Sequence, residues 1–273
     1  MTAWTPITGP RPGTQTFVVQ GRFVERPHRF AARVELADGA IVEAHVPNPG
    51  RLTGVLAPGC RVAIEGPVPP PRTLRYTMLA ARVSKTWVGT VTTYANRIFP
   101  TLLSAGLFPE LGAAGASGGP ESACGEPDAG GRAAGLTRAA GESGEVAAGA
   151  LEVRREVVHG RSRFDFEIGG RLVEVKSVSL ASGSAGFFPD AVTARGARHC
   201  DELAALARRR QPAAIVFVAQ RGDVESVAPE DEIDPEFGRA MRHAARAGVL
   251  VLACVLDMTP RGARGARRVP VIL

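Results

Sequence analysis

The stretch from Arg163 to Lys176, RFDFEIGGRLVEVK, decides the fold of the second half of the chain. Its central glycine pair favours a two-residue hairpin turn between two strands of alternating polarity. Counting outward from that turn predicts Asp165 directly opposite Glu174, on the same face of the hairpin as Lys176. The other face is predicted to carry the apolar residues Phe164, Phe166, Ile168, Val173 and Val175.

This pairing of acidic residues points to metal chemistry. Two carboxylates facing each other across a hairpin, with Cβ atoms about 5 Å apart, destabilise a sheet unless a cation lies between them. Oxygen ligands suit Mg²⁺ or Mn²⁺, so Asp165 and Glu174 are predicted metal ligands. With Lys176, which can stabilise charge on a phosphoryl group, they form the predicted catalytic residues of a PD-(D/E)xK nuclease site. The alternative is a solvated face of alternating charges.

The scarcity of lysine adds weight to Lys176. Of the 33 basic residues only Lys85 and Lys176 are lysine. A position that stays lysine in such a chain is a candidate for chemistry that needs a compact ammonium group rather than a guanidinium. For Lys85 chance is the better explanation.

The first third of the chain indicates a small β-barrel. Short strands alternate with turn signals between residues 14 and 84, and Asp38-Gly39 is a strong hairpin signal. An OB-like barrel is the economical all-β arrangement for about five such strands. Several arginines in this segment, among them Arg51 and Arg75, together with Tyr76, which could stack on a base, predict a nucleic-acid-binding surface. The alternative is a solvated barrel face with a partly buried tyrosine.

Residues 85–273 are predicted to form an α/β domain. A helix over 96–107 precedes the hairpin, and strand–helix–strand–helix–strand follows it, with Asp234-Pro235 starting the last helix. The fully apolar late strands 213–219 and 249–255 imply parallel neighbours. Residues 112–149 are rich in glycine and alanine and lack aromatic residues, so we expect a disordered insertion there.

The segment after the hairpin contributes further candidates. Arg195 and His199 are four residues apart and therefore share a helix face, which could orient a substrate phosphate or the site carboxylates. We predict both as nucleic-acid-binding residues and Asp190 as an additional candidate. A surface or capping role is the alternative for the histidine.

Bulk properties favour a cytoplasmic protein that binds a polyanion. The net charge is +6, and residues 1–111 carry twelve basic against six acidic residues. Such a basic segment suggests a nucleic-acid partner, although a solubility charge explains it equally well. The four cysteines lie far apart, which favours reduced thiols. Neither a membrane span nor a secretory signal is expected.

The chain resembles the sugar fermentation stimulation protein A family. The matching motifs are His45–Leu52, Leu74–Thr77, Ala95–Arg97, Pro109–Leu111, Ser162–Asp165, Val173–Lys176, Phe188–Gly196 and Asp231–Pro235. The resemblance covers nearly the whole chain apart from residues 1–13 and 112–149. Two features depart from it: Val46 stands where a cysteine is expected, and the 112–149 insertion interrupts the approach to the second half.

The resemblance implies an OB-like domain joined to a PD-(D/E)xK restriction-endonuclease-like domain that binds DNA. It places the acid–acid–lysine site at Asp165, Glu174 and Lys176, with Glu110 as an outer candidate. Two functions stay open: a Mg²⁺-dependent nuclease, and a non-catalytic DNA-binding regulator of sugar (maltose-type) metabolism. The sequence also leaves the oligomeric state open, a homodimer included.

Overall fold

A computed structural model describes residues 5–7, 17–68, 71, 73–112, 152–160 and 162–273. The insertion predicted at 112–149 therefore lies, apart from Gly112, outside the described residues, as do Cys124 and the first four positions.

The first third of the chain forms a closed barrel. Its sheet contains β2 (Phe17–His28), β3 (Ala31–Glu35), β4 (Ile41–His45), β5 (Arg61–Gly66), β6 (Tyr76–Val83) and β7 (Thr86–Gly89). The strand order is β4-β3-β2-β5-β6-β7, and a parallel pairing of Ala44 with Tyr76 closes β4 onto β6. Inward-facing apolar residues such as Val34 and Ile64 fill the barrel. The predicted OB-like barrel is confirmed.

The second half is built on one seven-stranded sheet. Its strands are β1 (Thr5–Pro6), β8 (Val153–His159), β9 (Ser162–Ile168), β10 (Arg171–Val178), β13 (Ala213–Ala219), β15 (Leu250–Thr259) and β16 (Gly262–Val269), in the order β1-β16-β15-β13-β10-β9-β8. Strands β10, β13 and β15 are parallel, as the apolar runs predicted. A separate three-stranded sheet holds β11 (Leu180–Ser182), β12 (Ala185–Phe188) and β14 (Ser226–Pro229).

Helices cover both faces of the large sheet. Helix α1 (Tyr94–Ser104), followed by a 3₁₀ turn at Pro109–Leu111, packs on one face; α2 (Ala194–Arg208) and α3 (Pro235–Arg246) pack on the other. Alternation along β13 supplies both layers: Val216 faces α1, whereas Phe217 faces α2 and α3. The predicted α/β class of this half is confirmed.

Asp234 joins the two helices of the second face. Its Oδ1 accepts a hydrogen bond from the Phe237 amide at 3.0 Å and so caps α3, as Asp234-Pro235 predicted. Its Oδ2 accepts from the Thr193 amide at 2.7 Å, at the start of α2. One carboxylate thus fixes where both helices begin.

Several strands were not predicted. The Gly183–Gly186 segment turns into β12, which pairs with β14. Strand β16 follows β15 after a tight turn and pairs with it, although its Gly- and Arg-rich sequence has little strand propensity. Pairing with a neighbouring strand outweighs local preference in both segments.

The barrel packs directly on the α1 side of the sheet. Leu79 of β6 belongs to the same apolar cluster as α1 and Val175. The Gly89 amide donates a hydrogen bond of 2.8 Å to the Gln220 carbonyl just after β13. The barrel and the sheet therefore share apolar packing and backbone hydrogen bonds.

The described residues include no helix with the length and hydropathy needed to cross a membrane. Three of the four cysteines lie in the described part, and Cys60, Cys200 and Cys254 are all free thiols there.

Candidate functional site

The hairpin has the predicted register. Arg171 pairs with Ile168 and Val173 with Phe166 across the Gly169-Gly170 turn. The same offset, carried one step further, brings Asp165 to Glu174. The paired residues end before that step, and the Asp165 carboxylate instead accepts a hydrogen bond of 2.8 Å from the Val175 amide.

The face assigned to Phe164 was wrong. Phe166 packs in the cluster beneath α1, whereas Phe164 packs on the opposite side, with its ring centroid 5.8 Å from that of His199. The strand is irregular at this point: Glu156, in the neighbouring β8, has a left-handed φ of 53°. Strict alternation therefore fails at Asp165, where β9 leaves β10.

Asp165 is held by groups from two elements. Its Oδ1 accepts a hydrogen bond of 2.6 Å from the Asn96 side chain on α1. Arg155 in turn donates to the Asn96 carbonyl at 3.1 Å. Sequence reasoning assigned a role to neither residue, since nothing in local periodicity links a helix turn at residue 96 to a strand about seventy residues later.

Glu174 lies deeper than a surface carboxylate, with 5% of its surface exposed. Its Oε1 is 2.8 Å from the Lys176 Nζ and 2.6 Å from the His199 Nδ1. Its Oε2 is buried and has no hydrogen-bond partner among the described residues. One oxygen of this carboxylate is thus fixed by the protein, and the other has capacity for a further ligand.

The two carboxylates differ in acidity. Burial, followed by the charge of Glu174, raises the pKa of Asp165 to about 6, although the Val175 amide, Lys176 and Asn96 oppose the shift. For Glu174 burial also opposes ionisation, but the hydrogen bond from His199 and the charge of Lys176 outweigh it and lower the pKa. Glu174 is the permanent anion of the pair, and Asp165 takes up a proton more readily.

This donor set fits a hard divalent cation bound by few protein groups. Across the described ranges, no cluster of three or more His, Cys, Asp or Glu side chains is close enough to share an ion. Two carboxylates, one with a free buried oxygen, suit Mg²⁺, which commonly takes one or two carboxylates and completes its shell with water or phosphate oxygens. Asp165 and Glu174 would be the ligands.

A cleft of about 230 Å³ opens beside Lys176. Its walls come from the start of α1, from β10 and from the end of β12. The lining residues are Thr92, Thr93, Asn96, Val175, Lys176, Ser177 and Phe188. The cleft gives a ligand access to the lysine next to the carboxylates, and Thr92, Thr93, Ser177 and Phe188 are lining residues that the sequence did not single out.

Two predicted nucleic-acid residues behind the cleft have different surroundings. His199 is 2% exposed and contacts Glu174, so its assignment as a nucleic-acid-binding residue is corrected: burial leaves it no surface for a polynucleotide. Arg195 is exposed, and its Nε lies 3.4 Å from the His199 Nε2. Its contact with nucleic acid stays a prediction.

The predicted barrel residues face solvent to different degrees. Arg51 and Arg75 are exposed, and Arg75 donates to the Val68 carbonyl at 3.1 Å. Tyr76 is half-buried and packs against the barrel core, which leaves only part of its ring accessible. Arg51 lies in the loop after β4, and the Pro47 carbonyl of that loop accepts a hydrogen bond of 3.2 Å from Thr92, a residue of the cleft wall.

The two outer acidic candidates lie outside the carboxylate site. Glu110 pairs with Arg268 of β16 at 3.0 Å, three strands away from β10 in the sheet order, so its assignment to the site is wrong. Asp190 faces the barrel: its Oδ2 lies 3.5 Å from the Leu52 amide. It belongs to the contact between barrel and sheet rather than to the metal ligands.

Comparison with known proteins agrees with this architecture. The family model of the SfsA N-terminal OB domain matches residues 24–90, and that of the sugar fermentation stimulation protein RE domain matches residues 132–262. A solved structure titled as Pyrococcus furiosus SfsA in complex with Ca²⁺ superposes with a TM-score of 0.73 at 24% identity, covering 98% of this chain and 100% of that one.

Curated relatives match over nearly their whole length. A sugar fermentation stimulation protein homolog of Geobacter metallireducens is 36% identical over 259 residues, covering 93% of this chain and 96% of the relative. A homolog of Pseudomonas aeruginosa is also 36% identical, over 263 residues, covering 93% and 97%. The chain therefore belongs to the sugar fermentation stimulation protein family.

Proposed function

We propose that this protein is a metal-dependent phosphodiesterase acting on nucleic acid, with DNA as its substrate. Asp165 and Glu174 hold Mg²⁺ or Mn²⁺, and Lys176 is the cationic catalytic residue. The observation that carries the proposal is the Oε2 of Glu174, a buried carboxylate oxygen that has no hydrogen-bond partner in the described part of the chain and lies on the strand next to the half-buried carboxylate of Asp165. Lys176 balances the charge through Oε1, but a buried carboxylate oxygen without a hydrogen-bond partner is costly, and a cation bound at Oε2 would remove that cost.

Different residues of the chain would stabilise charge on the substrate and orient the carboxylates. The Lys176 ammonium is fixed against Glu174 at 2.8 Å and also lines the cleft, so it can stabilise the charge that develops on a phosphoryl oxygen. Asn96 and the Val175 amide orient Asp165. A bound divalent cation would supply Lewis acidity at the phosphodiester.

The comparisons support a divalent ion at this fold. The Pyrococcus furiosus protein is titled as a Ca²⁺ complex. Ca²⁺ and Mg²⁺ both prefer oxygen ligands, and the smaller ion is the usual partner of substrate phosphates. We therefore propose Mg²⁺ or Mn²⁺ as the working ion here.

In this proposal the barrel binds the polynucleotide. The excess of basic over acidic residues in 1–111 favours a polyanion, and Arg51 and Arg75 offer exposed guanidinium groups for phosphates. The free thiols at Cys60, Cys200 and Cys254 are consistent with a cytoplasmic location, which we include in the proposal.

Cleavage assays test the enzyme directly. Single- and double-stranded DNA and RNA are incubated with Mg²⁺ or Mn²⁺ and wild-type protein, Lys176→Met or Asp165→Asn. We expect metal-dependent cutting of DNA that both substitutions abolish. Lys85→Met is the matched control, because Lys85 is the other lysine of the chain and is exposed. Thermal unfolding of each variant shows that it is folded. Cutting that survives Lys176→Met would refute the assigned role.

A second function has its own support. Three of the four oxygens of Asp165 and Glu174 already accept hydrogen bonds from protein groups. A site occupied in this way favours a DNA-binding regulator of sugar (maltose-type) metabolism that does not cut. Salt-sensitive DNA binding without metal-dependent cleavage, unchanged in Lys176→Met, would establish that alternative.

A further inference from the structure

The loop after β4, residues 47–52, is hydrogen-bonded to the barrel. We name it the docking loop. Arg26 of β2 donates from Nη1 to the carbonyls of Gly50 and Arg51 at 2.9 and 2.8 Å, and from Nη2 to that of Asn48 at 3.0 Å. The Asn48 side chain is buried and accepts from the Gly50 amide at 2.8 Å. One guanidinium therefore fixes three carbonyl groups of the loop.

The α/β half holds the docking loop at both of its ends. At the start, Thr92 donates from its amide and its hydroxyl to the Pro47 carbonyl, at 3.3 and 3.2 Å. At the end, the Asp190 carboxylate lies 3.5 Å from the Leu52 amide. Thr92 lines the cleft, and Asp190 follows two residues after Phe188, which lines it as well.

Asp190 fits closely against the loop. A Cβ built at Gly50 would overlap the Asp190 carboxylate, so the loop backbone approaches the acid as only a glycine allows. Arg26 and Arg51 act electrostatically on the same carboxylate from the barrel side. The contact therefore combines a close steric fit with opposite charge, although Asp190 and Gly50 are 140 positions apart.

We propose that Asp190 is a positioning residue that clamps the docking loop at the mouth of the Lys176 cleft and so presents Arg51 to a ligand entering it. The clamp itself depends on contacts between the two halves of the chain. Its consequence for binding rests on the proposed function, since the ligand presented to Arg51 is nucleic acid.

Four variants test the clamp: Asp190→Ala, Asp190→Asn, Gly50→Ala and the double variant Gly50→Ala/Asp190→Ala. Hydrogen exchange of the Leu52 amide reports docking. We expect faster exchange in Asp190→Ala and Gly50→Ala, and near wild-type exchange in Asp190→Asn, whose amide oxygen still accepts from Leu52. In the double variant the added methyl has room, so the two effects are not additive. Asp201→Ala, an exposed carboxylate on α2, is the control.

Binding of a fluorescein-labelled single-stranded DNA oligonucleotide, without added metal so that the probe stays intact, tests the consequence. We expect Asp190→Ala to weaken binding about tenfold. Affinity for Mn²⁺ should be unchanged, because Asp190 is not among the metal ligands. Restored binding in Asp190→Asn would distinguish positioning from general loss of structure.

Two results would overturn the inference. If the Leu52 amide exchanges at the wild-type rate in the single variants, and the double variant shows no more than their sum, Asp190 does not clamp the docking loop. Faster exchange with unchanged oligonucleotide affinity would show a contact without influence on binding. If the wild-type protein binds no oligonucleotide, the proposed function fails, while exchange and non-additivity still decide whether Asp190 clamps the loop.

Discussion

The Nδ1 atom of His199 lies 2.6 Å from the Oε1 atom of Glu174, inside the protein. The other ring nitrogen faces the Nε of Arg195 at 3.4 Å. Since a guanidinium only donates, the Nε2 of His199 accepts and its Nδ1 carries the proton that Glu174 receives as a hydrogen bond. The histidine thereby fixes one oxygen of the carboxylate and directs the other away from it.

Removing this imidazole should weaken metal binding. We expect His199→Ala to lower the affinity for Mn²⁺ by about 10- to 100-fold, the range found when a hydrogen bond that orients a metal ligand is lost. His199→Asn keeps a side-chain N–H near the position of Nδ1 and should retain more of the affinity. Titration calorimetry with Mn²⁺ measures both.

His159→Ala serves as the control for this prediction, because His159 is exposed at the end of β8. If His199→Ala binds Mn²⁺ as tightly as the control, Glu174 does not need the histidine to act as a ligand.

The acidity of Asp165 predicts a pH-dependent stability. Its pKa in the folded protein, about 6, lies above the ordinary 3.8, because of burial first and the Glu174 charge second. Between these values the folded state binds more protons than the unfolded chain, so rising pH destabilises the metal-free protein across that window. Asp165→Asn should remove this pH-dependent loss, which amounts to about 1–3 kcal/mol, while its single amide oxygen gives up one of the two hydrogen bonds at every pH.

Urea unfolding of wild type and Asp165→Asn, at several pH values with a chelator present, measures the difference. Glu174 is present in both proteins, so the difference between them reports Asp165 together with its charge interaction with Glu174. Asp38→Asn, at an exposed turn, is the matched control. Stability curves for wild type and Asp165→Asn that run parallel across this pH range would contradict the raised pKa.

How much of this site is readable in the sequence depends on whether a contact is local. The glycine turn predicted the register of the hairpin as far as Val173 and Phe166, because pairing beside a tight turn follows from counting. The sequence predicted no role for Asn96 or Arg155 at the site, because their contacts join segments far apart in the chain. His199 was found by its helical spacing with Arg195, but the burial that makes it a support for Glu174 is a property of tertiary packing.

The fold shows the same difference between features set by local sequence and features set by distant contacts. Long apolar runs predicted β13 and β15, whereas β16 contains three arginines and two glycines and forms because β15 offers it a partner edge. The face of Phe164 was wrong because strict alternation assumes a regular strand. The irregularity beside Asp165 arises from the way β9 departs from β10, which no short pattern encodes.

Arg51 and Arg75 make separable predictions about nucleic-acid binding. If each neutralises one phosphate, Arg51→Ala and Arg75→Ala should each reduce the slope of log affinity against log salt by about one. Arg51 lies in the docking loop, which contacts Thr92 and Asp190, so its loss should also reduce cleavage. Arg75 lies outside that loop and should affect binding alone.

Fluorescence anisotropy with labelled DNA at increasing salt gives both slopes. Arg246→Ala, an exposed arginine at the end of α3, is the control for a general change in net charge. Equal slopes for Arg51→Ala and the control would exclude Arg51 from the binding surface.

Gln220 should contribute strongly to stability because it links the barrel side to the site strand. Its side chain is fully buried, and its Nε2 donates to the Val91 carbonyl and the Ser177 hydroxyl at 2.8 Å each. Gln220→Leu leaves the buried Val91 carbonyl and the half-buried Ser177 hydroxyl without that donor, which we expect to cost about 2–4 kcal/mol of unfolding free energy. Gln20→Leu, on the exposed side of β2, is the matched control.

A second substitution, in the barrel, changes the same contact of Gln220. A Cβ at Gly89 would overlap the Gln220 side chain, so Gly89→Ala should also destabilise the protein. Because both changes act on one contact, their combined cost in urea unfolding should be smaller than the sum of the single costs. A purely additive pair, or a Gln220→Leu variant as stable as Gln20→Leu, would mean that the two halves do not depend on this glutamine for their attachment.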